Sequence, residues 1–213
     1  MGKEFCLMKR TVRKFYTLVE IMTVIVIAAI LFGIGIPAFT TMIQGSNMTV
    51  AIRQLSAKIS AARAYAVTNR CKVAVLLMEN GIKEDYCYSA YRVCVVGDDN
   101  SFQEWIEDEN WKVLPKGVLR KSISSVSTVT AIPAADTTAI GGSSLTSASA
   151  LIFKSNGQKD TTTATIIQLS QGRYVGGSAV YTERDGDGKI IYHPIEINPY
   201  SGKVTVKDTE TDS

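Results

Sequence analysis

The sequence predicts an α+β chain in which a long N-terminal helix packs on an antiparallel sheet, and three observations predict it. From Ile21 to Ile52 no residue is charged, and Leu18 to Phe39 is almost continuously apolar. Met48, Ile52, Leu55, Ile59, Ala62 and Ala66 then recur at steps of three and four, the spacing of one helix face. Beyond Asn69 the pattern changes to short runs rich in Val, Ile, Thr and Tyr separated by turn residues, as in antiparallel strands. With 213 residues, 46% of them hydrophobic and 20% charged, the composition suits one globular domain plus an apolar segment. It does not suit a disordered tail or two large domains.

Charge is unevenly placed. Residues 1–15 hold Lys3, Lys9, Arg10, Arg13 and Lys14 against Glu4, a net +4 within a whole-chain charge of +3, so the remainder is near neutral at −1. That disfavours a uniformly basic nucleic-acid binder and leaves only local patches. The apolar run is long enough to cross a bilayer, since about 20 residues at 1.5 Å each span roughly 30 Å. Basic residues before it keep residues 1–15 cytoplasmic and export the chain beyond it. The expected topology is therefore single-pass, with the N-terminus cytoplasmic and the C-terminal domain exported. A signal peptide or a plain signal anchor shares this charge pattern, which makes an unprocessed, signal-anchored periplasmic protein the competing reading.

Glu20 lies inside the first turn of the apolar run. A carboxylate at that depth costs on the order of 3 kcal/mol, so it calls for a partner, or else snorkels to the nearby interface. Around it the run Lys14-Phe15-Tyr16-Thr17-Leu18-Val19-Glu20 resembles the leader and cleavage motif of type IV prepilins and type II secretion pseudopilins. In that family a basic leader precedes Phe, a Thr-Leu-Val-Glu-like run comes next, and a Pro lies some seventeen residues past the Glu, where this chain has Pro37. The resemblance implies cleavage by a prepilin peptidase/methyltransferase between Phe15 and Tyr16, with Tyr16 as an N-methylated N-terminus. It also implies that Glu20 sets register by pairing with the N-terminal amine of a neighbouring pilin, and that Pro37 shapes the helix. Phe15 stands where the family has a small residue, nearly always Gly. Cutting after Lys14 would make Phe15 the first residue but shift Glu20 one place out of register.

The divisions expected are a leader over 1–15, a long helix over 16–70 and a β-rich periplasmic domain over 71–213. Within the helix, 16–39 is the membrane or filament-core part and 40–70 is amphipathic. Arg53, Lys58, Arg63 and Arg70 fall off the apolar stripe and predict a basic outer face. Strands are expected at Lys72–Met78, Tyr86–Val96, Phe102–Ile106, Val118–Ser124, Ala150–Lys154, Ala164–Ser170, Tyr174–Thr182, Lys189–Ile197 and Lys203–Val206. Residues 125–149, almost all Ser, Thr, Ala and Gly, read as a mobile loop. The stretch Ala61-Ala62-Arg63-Ala64-Tyr65-Ala66, the run Leu151–Gly157 and the run Ile195–Val204 are similar to the helix end, a strand and turn, and the closing hairpin of the GspH/FimT class of minor pseudopilins. That similarity implies a pilin-like fold and a structural subunit working in protein secretion with other pseudopilins or pilins.

Asp185-Gly186-Asp187-Gly188 has alternating carboxylates like part of a calcium loop, but lacks the bidentate Glu and further ligands; a polar hairpin turn is preferred. Three cysteines lie in the exported part. Oxidation would join Cys71 to Cys87 or Cys94, because Cys87 and Cys94 fall on opposite faces of one strand; the alternative is three buried thiols. Four scattered Cys and one His argue against zinc. His193 has no triad partner in sequence, and no nucleophile elbow, P-loop or HExxH appears, so neither an enzyme nor a cofactor is expected. A minor pilin that captures DNA or exported protein through Arg53, Lys58, Arg63, Arg70 or Arg120-Lys121 is the alternative of another class.

Overall fold

The computed structural model describes residues 17–80, 82–107, 109–141 and 145–212, and of residues 34–45 the backbone alone. The chain divides after Ile43 into two units. Helix α1, Leu18–Asn69, runs through the first and begins the second. It ends where Arg70 turns left-handed (φ +52°) and the Cys71 N–H reaches back to the Ala66 carbonyl at 3.2 Å. That six-to-one bond is the Schellman closure, made here without the usual glycine.

In the second unit α1 buries Met48, Ala51, Leu55, Ile59, Ala62 and Ala66. This is the expected stripe with one exchange, because the 3.6-residue period admits position 51 or 52 and the packing selects the smaller Ala51, leaving Ile52 half-buried. The first sheet has the order β3 (Phe102–Trp105), β2 (Ala90–Val96), β1 (Lys72–Leu77), β7 (Ala148–Phe153), β6 (Ser127–Val129), and β4 (Lys112–Val113) also pairs with β2. All of these pairings are antiparallel. Register sets Val75 opposite Val93 and Leu151. The second sheet has the order β11 (Val204–Val206), β10 (Ile191–Ile197), β8 (Thr165–Val175), β5 (Val118–Ile123). Strands β9 (Ser178–Tyr181) and β12 (Glu210–Thr211) pair with β8 and β10.

Because side chains alternate along a strand, β1 serves two cores. Val73, Val75 and Leu77 join the helix stripe, Leu151 and Phe153, and the inner face of the second sheet, Ile167, Leu169, Ile195 and Ile197. Ala74 and Leu76 join Cys94, Val96, Ala150 and Ile152 on the opposite face. Residues 125–149 cover that second face and are not a structureless loop. They hold β6, helix α2 (Ala134–Thr137) and a 3-10 turn at Thr138–Ile140, and bury Val129, Ile132, Thr137 and Ile140. A parallel bridge between Ser101 and Thr130 ties β3 to the end of β6, so the first sheet curls around this core. Few apolar side chains are needed to seal a face already lined by β1, which is why the Ser- and Thr-rich composition hid the packing.

Two expected strands are also corrected. The run Tyr86–Val96 begins as a 3-10 turn at Glu84–Tyr86, and β2 starts only at Ala90. The run Tyr174–Thr182 contains a hairpin turn, since Gly176 and Gly177 at φ +59° and +85° supply the two left-handed positions of a tight two-residue loop.

Candidate functional site

The first unit presents the start of α1. Thr17 Oγ1 accepts the Glu20 N–H at 3.2 Å, and the Ile21 N–H bonds the Thr17 carbonyl at 3.2 Å. Thr17 is thus the N-cap and Glu20 the third helical residue, the T-x-x-E pattern that satisfies helix-start donors. A carboxylate there also suits the positive end of the helix dipole. The N-cap is legible in the sequence, and its bond uses the Glu20 backbone N–H rather than the carboxylate. Thr23 Oγ1 donates to the Glu20 carbonyl at 2.9 Å. Apart from Thr17, Glu20 and Thr23 the helix as far as Gly33 is apolar, and its large side chains from Leu18 to Phe32 are each 52% to 75% exposed. A helix apolar on every side belongs in a membrane or among other helices. Among the described residues no helix is long and apolar enough to cross a membrane, and the described side chains of this run end at Gly33. Phe15 and Tyr16 lie outside the described residues. Pro37 falls within continuous helical backbone, its side chain outside them.

The second unit brings the three distant motifs of the sequence to one place. Arg63 Nε on α1 donates to the Gly157 carbonyl at 3.1 Å. Gly157 (φ +78°) closes the Ser155-Asn156-Gly157 turn, and a Cβ there would meet Val67 Cγ2 at 2.9 Å. Gly202 (φ +62°) closes the Asn198–Gly202 turn, where a Cβ would fall on the Gly157 carbonyl oxygen and within 2.7 Å of Arg63 Cδ and Nε. Asn198 Oδ1 accepts the Tyr200 and Ser201 N–H groups at 3.0 Å, and the Lys159 N–H bonds the Pro199 carbonyl at 2.9 Å. One arginine therefore fastens the helix to two glycine turns from different strands.

The other candidate residues are spread over the fold. Of the basic set, Arg53 and Arg70 are exposed. Lys58 pairs with Glu109, Arg63 is taken up as above, and Lys121 pairs with Asp212. Arg120 is buried, donating to the Met78 carbonyl at 2.9 Å with Glu79 Oε1 at 3.7 Å. The Arg120-Lys121 run is therefore not a basic surface, because β5 turns Arg120 inward and Lys121 is neutralised.

The bridge from Cys71 is not formed: Cys71, Cys87 and Cys94 are free thiols. Cys71 packs on the helix-side core and Cys94 in the opposite one, while Cys87 precedes β2 with its thiol near the Ile82 and Lys83 carbonyls at 3.5 Å. Burial pushes the Cys94 thiol up to about 12 and raises Cys71 and Cys87, which keeps all three in the unreactive protonated form. Asp185 Oδ1 accepts the Asp187 and Lys189 N–H groups at 3.0 and 2.8 Å, so it caps its own turn, and Gly188 at φ +80° closes it. Among the described residues no group of three acidic, Cys or His side chains is placed to hold a metal. His193 on β10 has its Nδ1 3.4 Å from the Oγ1 of Thr209, which lies between β11 and β12.

One charged group escaped sequence reasoning. Lys159 is buried and, among the described residues, has no carboxylate partner; its ammonium bonds the Ser125 carbonyl at 2.9 Å and the Thr165 hydroxyl. Loss of solvent brings its pKa down to about 8, against about 10.4 in an unfolded chain. Between those values the unfolded chain binds the extra proton, so this group makes stability rise with pH, by about 3 kcal/mol across the window. Cys94 acts with the opposite sign above pH 9, so only a difference isolates the lysine. Denaturant unfolding of Lys159→Met beside the parent should show the parent gaining on the variant by about 3 kcal/mol from pH 7 to pH 10.4. A constant difference over that range would refute the assignment.

No family model matches the chain, and no curated protein sequence matches it. Among solved structures it is similar to the type IV minor pilin FimU of Pseudomonas aeruginosa, at 14% identity and a TM-score of 0.45 over 76% of this chain and 90% of that one. A second crystal form of FimU aligns at 14% identity and a TM-score of 0.42, over 75% and 92% of the two chains. The minor pseudopilin EpsH from the Type 2 Secretion System of Vibrio cholerae aligns at 11% identity and a TM-score of 0.42, over 75% and 94%.

Proposed function

We propose that this chain is a minor pilin-type structural subunit, held in the inner membrane by its N-terminal helix and assembled through that helix into a type II secretion pseudopilus or a type IV pilus. The observation that carries the reading is the helix start, where apolar side chains are exposed on every face from Leu18 to Phe32 and one carboxylate, Glu20, sits in the first turn. A fold does not leave that much apolar surface uncovered unless lipid or neighbouring helices cover it. The leader motif supports processing between Phe15 and Tyr16, with other pilins or pseudopilins as partners through the helix. Intact mass and N-terminal sequencing of membrane-extracted protein, from cells with and without a prepilin peptidase, test this. A peptidase-dependent start at Tyr16 is expected. An unchanged N-terminus in both strains would favour a permanent signal anchor instead.

A further inference from the structure

The outer edge of the second sheet is open and carries ordered charges. Strands β11 and β12, with residues 207–209 between them, follow one edge of β10, and β8 takes the other. In antiparallel pairing, residues that bond the neighbouring strand alternate with residues that face away from it. The Asn198 N–H bonds the Lys203 carbonyl and the Lys207 N–H the Pro194 carbonyl, both at 3.0 Å. Lys203, Thr205 and Lys207 therefore bond β10, and the main-chain groups of Val204 and Val206 face away. Lys207 stands opposite Pro194 but Glu210 opposite Tyr192, so the edge holds one extra residue between them. The Asp212 N–H bonds the Ile190 carbonyl at 3.2 Å, so beyond the extra residue it is Thr209 and Thr211 that face away. Residues Thr205 to Thr211 are all exposed.

Charge is segregated along this edge, with Lys203 and Lys207 in its first half and Asp208, Glu210 and Asp212 in its second. Among the described residues Lys203 and Asp208 form no ion pair, while Lys207 pairs with Glu196 at 2.9 Å and Asp212 with Lys121. An open edge is a template for another strand, and its charges select which strand. We infer that the β11–β12 edge takes a second copy of this chain, antiparallel, about a two-fold axis between Lys207 and Asp208. In that register Val204 meets Thr211 of the second copy and Val206 meets its Thr209, so every outward-facing position bonds. Lys203 then stands opposite Asp212 and Lys207 opposite Asp208, each twice by symmetry. A register centred on Thr205 would set Lys203 against Lys207, and one centred on Glu210 would set Asp208 against Asp212. The extra residue makes the favoured register possible, because without it the axis would fall on a residue, and Lys207 or Asp208 would face its own copy. The inference concerns the second unit alone and stands apart from the assembly reading.

One strand from each copy makes a small contact, so the test traps it. Full-length Thr205→Cys and Glu210→Cys copies with different tags are mixed in detergent and oxidised with diamide, with the parent chain giving the background of the native thiols. In the inferred register these positions form a non-hydrogen-bonded pair with Cα atoms about 4.5 Å apart, within disulfide reach. The mixture should cross-link at least about tenfold more than either copy alone, since like positions are five residues, or roughly 17 Å, out of register. Val206→Pro in both copies removes an N–H that faces away from β10. It should cut trapping about tenfold while the melting temperature stays within about 3 °C of the parent. Lys203→Glu should cut trapping about fivefold, because symmetry removes two ion pairs. Single copies that cross-link as well as the mixture would mean collision or helix association, and the inference is overturned. A mixture that stays at background overturns it too, as does trapping that Val206→Pro leaves unchanged. If the proline lowers the melting temperature further, Lys203→Glu and Asp208→Lys decide, and trapping unchanged by both overturns the inference. None of these outcomes touches the assembly reading, which the N-terminus tests.

Discussion

Gly202→Ala is expected to lower the stability of the full chain by about 3 kcal/mol, the sum of a left-handed backbone penalty near 1 kcal/mol and an overpacking cost near 2. For a domain of this size that is a fall in melting temperature of about 6–12 °C. The reason is local: at φ +62° the new methyl would strike the Gly157 carbonyl and the Arg63 side chain, and neither can retreat without breaking the Arg63–Gly157 hydrogen bond. Gly176→Ala separates the two costs. Gly176 is also left-handed, at φ +59°, but a Cβ there has nothing within 4 Å, so only about 1 kcal/mol should be lost. Equal losses at the two sites would mean that the junction contributes no packing.

Ile25→Lys is expected to act on the other unit and on another readout. Ile25 is 62% exposed and belongs to neither buried core. Lys at the middle of an inserted helix costs about 3 kcal/mol, so the ratio of membrane-retained to released chain in carbonate-washed membranes should fall about a hundredfold. Unfolding of the globular unit should move by less than about 0.5 kcal/mol, since distant exposed changes leave it alone. Retention equal to the parent would remove the membrane reading of the apolar run.

How much of the fold is legible in the amino-acid order depends on how local each signal is. The amphipathic stripe from Met48 to Ala66 can be read because helical period is local, and the turn at Asn198–Gly202 because Asn, Pro and Gly announce turns. The N-cap Thr17 is readable from the T-x-x-E spacing. The role of residues 125–149 is not. Val129, Ile132 and Ile140 are isolated apolar residues in a polar stretch, and they matter only because the even-numbered face of β1 lies beneath them. Arg120 and Lys159 are equally opaque: each sits in a segment whose composition suggests a wet surface, yet strand alternation turns Arg120 inward, and Lys159 is buried against the Ser125 carbonyl. Of the alternatives left open for the cysteines the fold holds three thiols, with Cys71 and Cys94 packed against opposite cores.

By itself the amino-acid order determined the helix, its apolar and amphipathic halves, the place of Glu20 and most of the strands, because periodicity, capping and turn chemistry act within a few residues. Only the tertiary structure decided that Arg63, Gly157 and Gly202 meet, that four of the six candidate cations are consumed by the fold, and that the first sheet is sealed on both sides. Those outcomes depend on which distant segments share a face, and strand order and register set that through contacts no local pattern encodes.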